Sequence, residues 1–253
     1  MEVAVAPIVA TTGLTKEYAG FRAIDGVSLS IAPERVHAII GPNGAGKTTL
    51  FNLLSGFTPP TSGTIVFEGR DITGMPPADL AQLGIVRSFQ ITSIFPHLSV
   101  LDNVKVSLQS KTPLPRRFLA PSSATRELDA PAHAILQDVG MDNYAEHIAE
   151  HLPYGRKRSL ELAISLAQDP ALLLLDEPTA GMGTEDIART IALIKRIAKG
   201  RTIVLVEHNL RVVEDVCDRV TVMQRGRILV EGTYDEVRAD QRVIDAYLGG
   251  AGH

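Results

Sequence analysis

Residues 41–49 read GPNGAGKTT. The spacing is G-x-x-x-x-G-K-[ST], with Gly41, Gly46, Lys47 and Thr48 at the defining positions and Pro42, Asn43, Gly44 and Ala45 between them. An apolar run, VHAII at 36–40, leads into it; KTTLFNLLSG, with Thr49 near its start and Gly56 as its stop, leads out. A strand feeding a glycine-rich turn that opens a helix is the context in which this pattern cradles phosphates. The glycines let the backbone come close and turn its N–H groups inward. Lys47 then reaches the outer phosphates, and the Thr48 hydroxyl is placed for Mg²⁺.

A phosphate loop needs partners at the same sheet edge, and two later segments supply them. LLLLDEP at 172–178 is an apolar strand ending in carboxylates, which a parallel sheet delivers to its carboxyl edge, where ligands bind. Asp176 is then the metal carboxylate and Glu177 the candidate general base for water. The next strand, TIVLV at 202–206, brings His208 to that edge. Away from a phosphate loop, an Asp-Glu pair or a lone His at a strand end is commonly structural.

The rest of the chain fits an α/β core. β-Branched segments (IVATTGL at 8–14, GVSLSI at 26–31, TIVF at 64–67) crowd the first seventy residues between turn-forming stretches. From 99 to 168 the periodicity turns helical, broken by KTPLPRRFLAPSS. Strand and helix then alternate: ALLLL, EDIARTIALIKRIAK, TIVLV, NLRVVEDVC, RVTVMQ. Such alternation argues for βαβ units on a parallel sheet. The expected layout is one domain over 8–249, with a core of 1–90 and 168–249 and a helical insert at 91–167 that ends in the helix after Gly155.

Composition removes other classes. The 25 basic and 29 acidic residues leave a net charge of −4, so no global basic field recruits nucleic acid. The apolar runs fall short of the roughly 20 residues that cross a bilayer, and the start MEVAVAPIVATTG lacks the pattern of a secretory leader. A single cysteine, Cys217, permits no internal disulfide, fits a reducing cytosol and is read as helix packing.

One stretch resists this frame. HLPYGRKRSLELA at 151–163 sets Arg156, Lys157 and Arg158 at the start of a helix whose apolar face is Leu160, Ala163, Ile164 and Ala167. A helix start already carries partial positive charge and favours acids. Either an anion docks there, or three solvated cations cost little in high dielectric.

The order of Tyr18, GPNGAGKTT, Gln90 after RSF, a helical insert, LPYGRKR, LLLLDEP and His208 resembles the nucleotide-binding subunit of ABC transporters over residues 8 to about 249. YGRKRSLELA, DEPTAGM, VEHN and VIDAYLGG look most like the ATPase subunits of branched-chain amino acid importers. The resemblance implies a RecA-like P-loop NTPase core, an N-terminal antiparallel β subdomain and an inserted α-helical subdomain. ATP and Mg²⁺ would be the cofactors, with Tyr18 stacking on adenine and Gln90 touching the metal and the attacking water. It further implies a head-to-tail homodimer or heterodimer. The signature Leu152, Pro153, Tyr154, Gly155, Arg156 of one subunit would then face the γ-phosphate held by the other, which answers the question raised by the cations. Integral-membrane permease subunits and, indirectly, a solute-binding protein are the implied partners, and the inner face of the plasma membrane the implied location.

Two departures stand out. The family's L-S-G-G-Q carries Pro153 for Ser and Arg156 for Gln, and Gly183 stands where an acid is usual. Arg156 is read as a transition-state contact in the manner of an arginine finger or as a solvated side chain. Rival readings are a soluble cassette ATPase not coupled to transport, a P-loop kinase or GTPase, and a silent interaction subunit. The first lacks its usual second cassette or coiled coil; the second leaves LPYGRKR unexplained; the third is opposed by Glu177 and His208. Ile94, Phe95 and Pro96, where the insert leaves the core, are read as a patch docking the permease or as packing within the insert.

Overall fold

A computed structural model describes residues 6–88, 94–109 and 127–248. Its central sheet has six strands in the order β11-β10-β4-β9-β8-β7: β11 (Arg227–Gly232), β10 (Arg219–Gln224), β4 (Val36–Ile40), β9 (Thr202–Val206), β8 (Leu172–Asp176) and β7 (Ile85–Ser88). All neighbours pair in parallel except the β10–β11 hairpin. A second, antiparallel sheet runs β2-β1-β5-β6, with β3 on β1, from β1 (Val9–Tyr18), β2 (Phe21–Val27), β3 (Ser30–Ile31), β5 (Ser62–Phe67) and β6 (Arg70–Asp71).

The central strands are apolar without a break because both faces are covered. Ile39, Leu172, Leu174, Val204 and Val206 pack with the antiparallel sheet and with Leu50, Phe51 and Leu54 of α1 (Lys47–Leu54). Their alternating neighbours Ala38, Ile40, Leu173, Leu175, Ile203 and Leu205 face the opposite layer. There they meet α6 (Thr184–Ile197), α7 (Leu210–Val216) and the helices between β7 and β8: α3 (Val100–Gln109), α4 (Asp129–Asp138) and α5 (Tyr154–Leu166). Period two thus splits each strand between two cores. Three short helices, α2 (Pro77–Gln82), α8 (Tyr234–Ala239) and α9 (Gln241–Leu248), carry none of the site motifs.

The α/β core, the β-rich first seventy residues and the helices after β7 match expectation, as do strands at IVATTGL, VHAII, TIVF, ALLLL, TIVLV and RVTVMQ, whereas GVSLSI is split between the end of β2 and the short β3. The hairpin partner β2 begins earlier than GVSLSI suggested, because Ala19 and Gly20 both take positive φ and turn the chain straight back from β1. Cys217 lies at the end of α7 among apolar side chains, and burial pushes its thiol well above the usual range.

Candidate functional site

The phosphate loop leaves the end of β4 and enters α1 through Gly46, whose φ of 102° suits only glycine. A Cβ there would lie 2.6 Å from the Ala23 carbonyl oxygen. Helix α1 has neither a side-chain cap nor an acid in its first turn, so its leading N–H groups are left for a ligand. Lys47 folds back, Nζ donating to the carbonyls of Gly41 (2.7 Å) and Pro42 (3.0 Å). Burial lowers the pKa of its ammonium, and the Glu177 carboxylate opposes that shift. Gly226 N–H donates to the Ala45 carbonyl, and Asp25 N–H to that of Gly226 (2.9 Å each). The loop is therefore stapled to both sheets, and to the β1–β2 hairpin that carries Tyr18 at its tip. Tyr18 is 45% exposed there beside Phe21.

Strand β8 delivers Asp176 and Glu177 as the apolar run predicted. Glu177 sits at φ 45°, a left-handed conformation uncommon for a residue with a side chain and typical of functional turns. Its N–H is anchored to the Val206 carbonyl (2.9 Å), and its Oε1 lies 3.9 Å from Nδ1 of His208. Lys47, Glu177 and His208, far apart in the chain, thus gather at one edge. Gln90 lies outside the described residues.

Asp176 has a neighbour that the sequence reading overlooked. Arg87 on β7 donates to its Oδ2 (2.5 Å) and also to Asn52 Oδ1 (2.7 Å) and Ser55 Oγ (3.1 Å) of the phosphate-loop helix and its cap. Its guanidinium centre lies 5.4 Å from the ring centres of both Phe51 and Phe57. One cation therefore ties β7, β8 and α1 together. An arginine inside the otherwise apolar IVRS strand was the available signal.

Helix α5 starts at Tyr154, one residue before Gly155, again without a side-chain cap or an acid in the first turn. Two of its three cations have partners within their own subunit, which the solvated reading did not expect. Arg158 falls in the second turn and is buried, paired with Glu161 at 2.9 Å. Arg156 turns back onto the insert, its guanidinium 4.7 Å from the Tyr144 ring centre, with NH1 donating to the Gly140 carbonyl just past the end of α4 (3.2 Å). Cations suit helix C-termini. Arg156→Ala is therefore expected to cost about 1 kcal/mol of stability, not to yield the slight gain that a solvated cation at a positive helix end would give. The urea midpoint measures this, and an unchanged or raised midpoint restores the solvated reading. Tyr154 Oη donates to the Ala180 carbonyl (3.4 Å), so the signature helix touches the loop that follows Glu177. Among the described residues, Leu152, Pro153, Tyr154, Gly155 and Arg156 make no hydrogen bond to their own phosphate loop.

A parallel sheet that presents a glycine-rich phosphate loop, Asp176-Glu177 and His208 at one edge, with a helical layer carrying a second uncapped helix start, defines a P-loop nucleotide-hydrolysing cassette. The pattern of the family described as ABC transporter matches residues 24–180, and that of the branched-chain amino acid ATP-binding cassette transporter matches residues 227–253. The chain belongs to the ABC transporter family and is an ATP-binding subunit with ATPase activity. It is similar to the high-affinity branched-chain amino acid transport ATP-binding proteins BraF of Pseudomonas aeruginosa and LivG of Escherichia coli. Each is 36% identical, covering 97% of this chain and 99% of its own. The crystal structure of the ADP conformation of MJ1267, an ATP-binding cassette of an ABC transporter, superimposes with a TM-score of 0.86 at 30% identity, covering 97% of this chain and 100% of that one. These matches favour the importer reading over the soluble cassette.

Proposed function

We propose that this chain binds Mg²⁺–ATP at its phosphate loop and hydrolyses it within a head-to-tail dimer of cassettes, homomeric or with a related subunit. Hydrolysis powers import of branched-chain amino acids, or a comparable small polar solute handed over by a solute-binding protein, through a separate permease. The observation that carries the transport part is the end-to-end similarity to BraF and LivG. The chain works as a single ATPase domain over 8–249, peripheral on the inner face of the plasma membrane. No described helix is long and apolar enough to cross a membrane.

The residues present suit the nucleotide. Uncapped N–H groups of α1 and the Lys47 ammonium face phosphate oxygens, and Tyr18 offers its exposed ring to adenine. Thr48 and Asp176 would provide the hydroxyl and carboxylate that hold Mg²⁺, with Gln90, outside the described residues, as a proposed further ligand. Bound there, the metal would neutralise charge developing on the phosphates. Glu177 accepts a proton from the attacking water, and His208 beside it contacts the transferred phosphate. The α5 start, with Gly155 at its second position, supplies backbone N–H groups to the partner's nucleotide. Arg156 reaches that phosphate only by leaving Tyr144 and Gly140.

The decisive experiment is reconstitution with a branched-chain amino acid permease and a matching solute-binding protein. ATP hydrolysis is expected to rise when leucine is added outside. Full ATPase activity indifferent to permease and solute overturns the transport reading.

Phe95 is 50% exposed, while its neighbour Ile94 packs against the core. Buried Asn103 holds Phe95 at the surface, accepting from its N–H (2.7 Å) and donating to its carbonyl (3.1 Å). Phe95 and Pro96 form part of the permease-facing surface. Phe95→Asp is expected to leave soluble folding intact and abolish co-purification with the permease; an insoluble variant would instead mark the ring as core.

A further inference from the structure

Glu207 is the most deeply buried acid among the described residues, at 0% exposure. A buried carboxylate is costly unless its oxygens are met by donors. Here the donors are backbone N–H groups and a hydroxyl, not cations. Oε1 accepts from the Thr179 N–H (3.1 Å) and hydroxyl (2.5 Å), and Oε2 from the N–H groups of His208 (3.0 Å) and Asn209 (3.1 Å). The nearest ring nitrogen, Nδ1 of His208, stands 4.0 Å from Oε2.

The four donors come from two different loops. Thr179 belongs to the turn that begins at the left-handed Glu177, in which Ala180 N–H donates back to the Glu177 carbonyl (3.0 Å). His208 and Asn209 form the turn at the end of β9, where Asn209 also caps α7. Only a carboxylate presents an acceptor oxygen to each side at once; an amide would turn N–H groups against one of them. We infer that Glu207 is a positioning residue for hydrolysis, clamping the loop after Glu177 to the turn that carries His208 and so setting the separation of those two side chains. The inference rests on the reading of Glu177 and His208 as the hydrolytic pair. Because Tyr154 touches the same loop at Ala180, the clamp also fixes what the signature helix leans on.

The test uses the full chain, with steady-state ATPase for kcat and KM and trinitrophenyl-ATP fluorescence for binding. Assays run well below each variant's unfolding midpoint. Glu207→Gln is expected to lower kcat by roughly ten- to a hundred-fold, the scale on which ångström misplacements of reacting groups are felt, with KM and nucleotide binding unchanged. Thr179→Ser keeps both donors and should keep kcat, whereas Thr179→Val loses the hydroxyl and should lower it. The double variant Glu207→Gln, Thr179→Val should be no slower than Glu207→Gln alone, since both remove one clamp. If Glu207→Gln does not fold, the contrast between Thr179→Ser and Thr179→Val decides. Equal kcat in those two, or wild-type kcat in Glu207→Gln, overturns the clamp. Wild-type turnover in both Glu177→Gln and His208→Ala would instead sink the hydrolytic pair itself.

Discussion

Glu177→Gln is expected to retain ATP and lose turnover by roughly 10²–10⁴-fold, the range that a positioned general base contributes. The substitution leaves the fold alone: the Glu177 backbone is fixed by its N–H to Val206 and by Ala180 donating to its carbonyl, and the amide has the same shape as the carboxylate. What disappears is the proton acceptor. One side effect has a definite sign. The Glu177 carboxylate raises the pKa of Lys47 against the lowering by burial, so its loss lowers the pKa of that ammonium further. Nucleotide affinity in Glu177→Gln should therefore weaken at a lower alkaline pH than in the wild type. Phosphate release and fluorescent-nucleotide titration over pH measure both effects, and wild-type turnover in the variant removes Glu177 as the base.

Lys47→Ala should fail earlier, at binding. The ammonium is held by the carbonyls of Gly41 and Pro42, poised where α1 begins and partly withdrawn from water. A charged hydrogen bond in such a setting is worth about 1.5–3 kcal/mol, which corresponds to roughly ten- to a hundred-and-fifty-fold in dissociation constant. Its removal also frees the two carbonyls that it gathers, loosening the loop that must present N–H groups. The protonated form does the binding, so with a lowered pKa the wild-type affinity should fall with rising pH sooner than for an ordinary lysine. Calorimetric titration with ATP checks this. Unaltered affinity in Lys47→Ala would move the phosphates away from this loop.

The two largest losses thus fall on residues legible from spacing alone. GPNGAGKTT between VHAII and KTTLFNLL specifies strand, turn and helix within one short window, and the loop glycines, Lys47 and the leading N–H groups of α1 all lie inside it. LLLLD and TIVLV were equally readable, because strands covered on both faces are apolar at every position, and their polar termini then stand out as edge residues. Helix α5 also announced itself by its apolar spacing. Even the Arg158–Glu161 pair, three residues apart on that helix, was open to reading from sequence, though the run of cations drew attention to its charge instead.

Adjacency across the sheet was not legible. Arg87 and Asp176 are 89 positions apart and Glu207 and Thr179 are 28 apart, yet each pair meets because β7, β8 and β9 lie side by side. Arg156 found Tyr144 and Gly140 because α4 and α5 pack together on one face of that sheet. By itself, the sequence determined which residues carry the chemistry proposed for phosphate, metal and water, since that chemistry belongs to a side chain and its immediate backbone. Only the tertiary structure decided which charge neutralises which. Partners in a parallel sheet are assigned by the order in which crossovers lay strands down, and the worth of each pair by how far that packing withdraws it from water.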